Sequence, residues 1–181
     1  MTSPACKGIA NLVNMGYLAG VLGATESENT MGDVQQKLDL IANDLFIDAL
    51  ENNDHCAGMA PEELDEILTL PADKPRGHYL VTFDPLDGSS NMDINMDVGA
   101  IFSMLKAPEG KENPSAEDFA RPGVEQVAAG YCLYGPSSMM VLTTGNGVNG
   151  FTLCSSIGEF ILTHPNMQIP EDTAEFAINA S

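Results

Sequence analysis

The stretch QVAAGYCLYGPSSMMVLTTGNGVNGFTLCSSIGEFILTH, Gln126 to His164, decides the fold class. It holds four short apolar runs, QVAAGYCLYG, SSMMVLTTG, NGFTLCSS and GEFILTH, divided by Gly, Pro, Asn and Ser. Short β-branched and aromatic runs with turn residues at regular intervals read as an antiparallel meander. Upstream, HYLVTFD (78–84) and VGAIFSMLK (98–106) have the same character, and HCAGMAPEE (55–63) is a short apolar run ending in two acids.

The front of the chain has a different period. Ile9, Leu12, Val13 and Tyr17 recur at helical spacing, with Ser3 and Pro4 expected as N-cap and first-turn proline and an end near Gly20 to Gly23. Asn11 and Asn14 interrupt this segment too early for the apolar heart of a signal peptide. GATESENTMG (23–32) reads as a polar loop. A second helix follows, with Leu38, Ile41, Ala42, Leu45, Phe46, Ala49 and Leu50 on one face and Asp39 beside it. Thr30 and Asp33 have the spacing of a capping box for its start. Helices early and strands late predict an α+β fold of the layered kind, two helices packed on a mixed, largely antiparallel sheet. APEGKENPSAEDFARPG (107–123) is expected as a long, protease-sensitive connection.

Composition narrows the function. With 26 acids against 7 bases the formal charge is −19, and the bases form no run or stripe. Nucleic acid and anionic membrane surfaces both need a basic patch, so neither is an expected partner. No stretch is long and apolar enough to span a bilayer. The four cysteines, Cys6, Cys56, Cys132 and Cys154, form no CxxC pair and read as reduced packing residues of a cytoplasmic protein. The nucleotide-binding glycine fingerprints, the serine-hydrolase elbow and the HExxH zinc motif are all missing from the sequence.

What remains is a set of carboxylates at strand ends. Glu62 and Glu63 follow one apolar run, and Asp84 and Asp87 follow another. If those strands are neighbours with matched ends, four carboxylates meet at one edge. Such a cluster needs a counter-charge, and ligands that are all oxygen favour Mg²⁺ or Mn²⁺. Gly88, Ser89 and Ser90 come next, and Gly-Ser-Ser backbone N–H groups and hydroxyls suit a phosphate. The loop FDPLDGSSNMD (83–93) thus reads as metal ligands and phosphate cradle in one segment, although an Asp-rich Gly-Ser loop is also an ordinary turn composition.

That loop closely resembles the signature of the class I fructose-1,6-bisphosphatases. GDVQQKLDLIANDLF (32–46), APEELDEI (60–67), VAAGYCLYGPSSMMVLTTGNGVNGFTL (127–153) and GEFILTHPNMQIPEDTAEFAIN (158–179) resemble further segments of that family, in its order. The resemblance implies Mg²⁺-dependent hydrolysis of the 1-phosphate of fructose 1,6-bisphosphate, with two or more ions per site and Mn²⁺ as an alternative. It implies Glu62, Glu63, Asp84, Asp87 and the Leu86 carbonyl as metal ligands. Asp87, Gly88, Ser89, Ser90 and Asn179 are implied as substrate contacts. Asp39 with Glu63 is implied as the pair that takes a proton from the attacking water, and Asp33 as a loop acid near the site.

Pro61 stands where the family usually has Ser, and His78 where it usually has Lys, beside Tyr79 and Lys106 at positions that resemble contacts to AMP. The expectation for 1–181 is the N-terminal, metal- and phosphate-binding domain of a homotetramer or other homo-oligomer, incomplete at its N-terminus. A C-terminal sugar-binding domain is expected to be missing from the sequence, leaving the fragment itself inactive. The alternatives are a non-catalytic metal- and phosphate-binding or assembly fragment, a sedoheptulose-1,7-bisphosphatase, or another sugar phosphatase related to the inositol phosphatases.

Overall fold

The computed structural model describes residues 1–20, 24–28, 34–111, 113–172 and 174. Thr30, Asp33 and Asn179 lie outside them. The elements run α1 (Ser3–Met15), β1 (Ala24–Glu28), β2 (Val34–Gln36), α2 (Lys37–Glu51), β3 (Cys56–Pro61), β4 (Leu68–Thr69), β5 (Tyr79–Asp87), β6 (Val98–Lys106), α3 (Ala116–Phe119), β7 (Ala128–Tyr134), β8 (Met139–Thr143), β9 (Val148–Cys154) and β10 (Glu159–Met167). The fold is α+β, as expected.

β3 to β10 form one eight-stranded sheet in the order β10-β9-β8-β7-β6-β5-β3-β4. The four runs of the 126–164 stretch are β7 to β10, a meander in which each strand pairs antiparallel with the next. β3 and β5 are the one parallel pair in this sheet.

The core follows the period of two. Val98, Ala100 and Phe102 on β6, with Cys132 and Tyr134 on β7, turn to the face that α1 and α2 cover. The alternate residues Ile101, Tyr131 and Leu133 stand on the other face and keep about half of their surface exposed. From the helices, Cys6, Ile9, Leu38, Ala42, Phe46 and Leu50 are buried against that core. Phe46 stacks on Phe83 with centroids 4.8 Å apart and planes 17° from parallel. This pair packs α2 on the middle of β5.

Two expectations need correction. α1 begins at Ser3, so the cap position is Thr2, and it ends at Met15, where Gly16 starts a separate 3₁₀ turn. Part of the polar segment 23–32 is the strand β1, paired antiparallel with β2, and α2 starts only at Lys37. The strings ATESE and VQQ hold too few apolar residues to write a period, so hydrophobic periodicity is silent about them. The 107–123 connection is mostly exposed, with a few anchor points. Ala107 and Phe119 pack on a second small core of Ala57, Leu80 and Leu105. Ser115 and Asp118 make a capping box, and Lys111 bridges to Asp118 at 2.6 Å. A side chain at Gly58 would run into Pro114 of this connection.

Candidate active site

β3 and β5 run parallel, and β3 ends at Pro61 opposite Phe83, midway along β5. The next residue, Glu62, donates its N–H to the Phe83 carbonyl at 2.9 Å. Glu62 and Glu63 therefore leave β3 beside the point where Asp84 follows Phe83. The pairing of β5 with β6 shifts between Asp84 and Asp87. Such an irregularity breaks the strict alternation of faces and re-aims side chains. The Asp84 carboxylate caps its own turn, its Oδ1 accepting the Leu86 N–H at 3.0 Å.

Electrostatics joins this edge to α2. Asp84 is pushed up to about 6, first by burial, against the Leu86 N–H that favours its charge, and then by the negative charges of Asp87, Glu63 and Asp39. Asp39 is buried near the start of α2, and Glu63 is buried at the end of β3. The charges of three other expected carboxylates, Asp87, Glu63 and Asp39, thus reach Asp84. Glu62 lies in the same turn and lines, with Thr82, Asp84, Ser103 and Gln126, a cleft of about 420 Å³.

The donor chemistry fits a hard divalent cation, since every one of these groups offers oxygen and their mutual repulsion calls for positive charge. The topology collects the residues, but the side chains are not drawn into a tight cage. Among the described residues no three His, Cys, Asp or Glu groups stand close enough to hold a metal ion.

Beyond Asp87 the chain turns at Gly88, whose φ of 78° and ψ of 27° are left-handed, and Ser89–Ile94 form a 3₁₀ turn. Glycine takes this conformation without the penalty a Cβ brings. The first N–H groups of such a turn have no partner within it. They belong to Ser89 and Ser90, the residues read as the phosphate cradle. Asp87 and Gly88 also line a cleft of about 290 Å³ with Asn91, Asp97 and Tyr131.

Two polar residues near the site were not singled out from sequence. Asn43 is buried one turn beyond Asp39 on α2, and its Oδ1 makes no hydrogen bond among the described residues. Its spacing of four from Asp39 was the available signal. Asn91 closes the 88–97 loop, and nothing in its sequence position announces that.

Comparison with known proteins points one way. Residues 1–165 match the family described as "Fructose-1-6-bisphosphatase, N-terminal domain". A curated relative from Halorhodospira halophila (strain DSM 244 / SL1), "Fructose-1,6-bisphosphatase class 1", is 59% identical over 180 residues, covering 99% of this chain and 53% of the relative. Among solved structures, Leishmania major fructose-1,6-bisphosphatase in holo form superposes with a TM-score of 0.89 at 38% identity, over 95% of this chain and 54% of that one. The apo form of the Leishmania enzyme gives 0.82 at 35% identity, over 98% and 53%. The chain therefore spans about half the length of these relatives.

Proposed function

The chain belongs to the fructose-1,6-bisphosphatase family, and on that premise we propose that residues 1–181 are the metal- and phosphate-binding domain of an enzyme that hydrolyses the 1-phosphate of fructose 1,6-bisphosphate. The observation that carries this reading is the parallel pairing of β3 with β5, with Pro61 opposite Phe83. It brings the chain at Glu62 next to Phe83 and so to Asp84, shortly ahead of Asp87 and Gly88-Ser89-Ser90, which supports reading these residues as one site.

In the proposed site Glu62, Glu63, Asp84, Asp87 and the Leu86 carbonyl hold Mg²⁺, two or more ions, with Mn²⁺ as a substitute. When bound, the ions neutralise the phosphate and acidify water. Glu63 and Asp39, both buried at this edge, take up the proton of the attacking water. The Gly88, Ser89 and Ser90 N–H groups and the two hydroxyls orient the phosphate that leaves C1. Asp33 and Asn179 keep the roles the family resemblance gives them, as loop acid and substrate contact. The reaction class is carbohydrate phosphate hydrolysis, and positioning and electrostatics carry most of the rate.

The sugar ring and the 6-phosphate fall to a second domain on this reading, since the matched relatives are about twice as long. The assembly is a cytoplasmic homo-oligomer, a homotetramer in the first instance. No described helix is long and apolar enough to cross a membrane.

The test is phosphate release from fructose 1,6-bisphosphate in the presence of Mg²⁺, by the enzyme that contains this chain. Asp87→Asn should reduce turnover at least about 100-fold, the scale seen when one transition-state electrostatic contact is lost. Turnover near that of the wild type in Asp87→Asn would refute the site assignment.

A further inference from the structure

One residue gathers the hydrogen bonds of the loop that follows Asp87. The Asn91 N–H donates to the Gly88 carbonyl at 2.8 Å, and the Asn91 carbonyl accepts the Met96 N–H at 3.0 Å. The same carbonyl accepts the N–H of Asn95, which sits in the left-handed region at φ 58°. The Asn91 side chain completes the set, its Nδ2 donating to the Asp97 carbonyl at 3.2 Å. Backbone and side chain of Asn91 thus tie the Gly88 end of the loop to the residue that enters β6.

The neighbourhood is close-fitting at both ends of this tie. A Cβ at Gly88 would lie 3.3 Å from the Asn91 Nδ2, so the amide lies directly against the turn. At the far end, a Cβ at Gly135 would lie 2.6 Å from the Asp97 Oδ1, so Asp97 is seated against the chain just after β7. Ser89 and Ser90 lie between two fixed points. The backbone bonds of Asn91 would form with any residue at 91. The tie to Asp97 needs a short side chain with an N–H donor, which only Asn supplies at this reach.

We propose that Asn91 is a positioning residue for the phosphate cradle: its amide, bonded to the Asp97 carbonyl, holds the Gly88–Ser90 N–H groups in the orientation that receives phosphate. This rests on the reading of Gly88–Ser90 as that cradle. On this reading Asn91 stands outside both the reacting atoms and the metal ligand set, so its loss should separate phosphate binding from metal binding. A single hydrogen bond of this kind corresponds to about three- to tenfold in affinity.

The experiment uses calorimetric titration of the chain with Mg²⁺ alone, and then with inorganic phosphate in saturating Mg²⁺. For Asn91→Ala, Mg²⁺ affinity should stay within about twofold, while phosphate binds about three- to tenfold more weakly. Amide hydrogen exchange at Ser89, Ser90 and Met96 should speed up, with β5 and β6 unchanged. Where Asn91→Ala folds poorly, Asn91→Leu keeps the volume without the donor and should give the same split. Unchanged phosphate affinity overturns the proposal. So does a parallel loss of Mg²⁺ and phosphate affinity with faster exchange throughout β5 and β6, which marks a general structural role. A wild-type chain that binds Mg²⁺ but no phosphate overturns the cradle reading, and this proposal with it.

Discussion

Asp84→Asn should make the metal-free chain more stable and remove its response to metal. Burial, with the charges of Asp87, Glu63 and Asp39 adding to it, raises the half-buried Asp84 carboxyl to about 6. Against an ordinary value of about 3.9, the displacement of about two pH units is worth ~3 kcal/mol at most. Partial exposure and solvent screening reduce this to about 1–2 kcal/mol.

The sign follows from proton linkage. A carboxyl raised in the folded state binds its proton more tightly there than in the unfolded chain. Its contribution to stability is fully present below about pH 4 and is lost as the pH rises through about 6. At pH 7.5 the wild type carries the whole penalty, and Asn carries none. Asn also keeps an Oδ1 able to accept the Leu86 N–H that Asp84 now receives at 3.0 Å.

Thermal unfolding in EDTA should therefore show Asp84→Asn melting about 2–8 °C above wild type at pH 7.5, on the scale of 2–4 °C per kcal/mol for a domain of this size. The gap should close toward pH 4. Adding Mg²⁺ at about 100 times its Kd should raise wild-type stability by about 2.7 kcal/mol and leave the variant nearly unmoved, reversing the order. A variant that melts below wild type in EDTA at pH 7.5 refutes the reasoning. So does a gap that does not change between pH 4 and pH 7.5.

Phe46→Ala should cost about 3–5 kcal/mol, because a fully buried ring stacked on Phe83 is removed; urea unfolding measures it. Gly130→Ala should cost about 1–3 kcal/mol, since a Cβ there would lie 2.6 Å from the Val141 carbonyl and 2.9 Å from the Phe102 ring; the same assay reads it. With a thiol reagent at pH 8, Cys154 should react in the native state, while Cys6, Cys56 and Cys132 react only on unfolding. The last three are buried, and burial also pushes the Cys56 thiol up to about 11. Mass mapping of the modified residues distinguishes these outcomes.

The sequence made the meander from Ala128 to Met167 and the helix α2 readable, because each buries one side and so writes a period of two or 3.6 into its residues. β1 and β2 have no such period, so the first reads as loop and the second as the opening of the helix that in fact starts at Lys37. β4, only Leu68–Thr69, was too short to register in a sequence window. The site divides in the same way. Asp84, Asp87 and Gly88 to Ser90 are contiguous, so their chemistry was visible as a string. Asn91 was not, because its role lies in a hydrogen bond to a carbonyl six residues on, and backbone acceptors leave no mark on residue types.

The step that sequence left conditional is the one on which the proposed site depends. Glu62 and Glu63 reach Asp84 only if β3 and β5 are neighbours with the same direction. Sequential strands with short links usually pair antiparallel, and this sheet otherwise obeys that habit from β5 to β10. An antiparallel β3 would have carried its two glutamates to the far end of β5, roughly 20 Å from Asp84 on the ordinary rise per residue. Parallel pairing needs a longer crossover, and residues 62–78 supply it, with β4 folding back on the outer edge of β3. The glutamates then leave β3 next to Asp84, and α2 packs on β5 with Phe46 on Phe83, so the charge of Asp39 reaches Asp84 from a third element. The same packing that buries Phe46 thus adds a further carboxylate to an edge already crowded with charge. The metal-free chain should be least stable where all these groups are ionised, and divalent cations should stabilise it most strongly there.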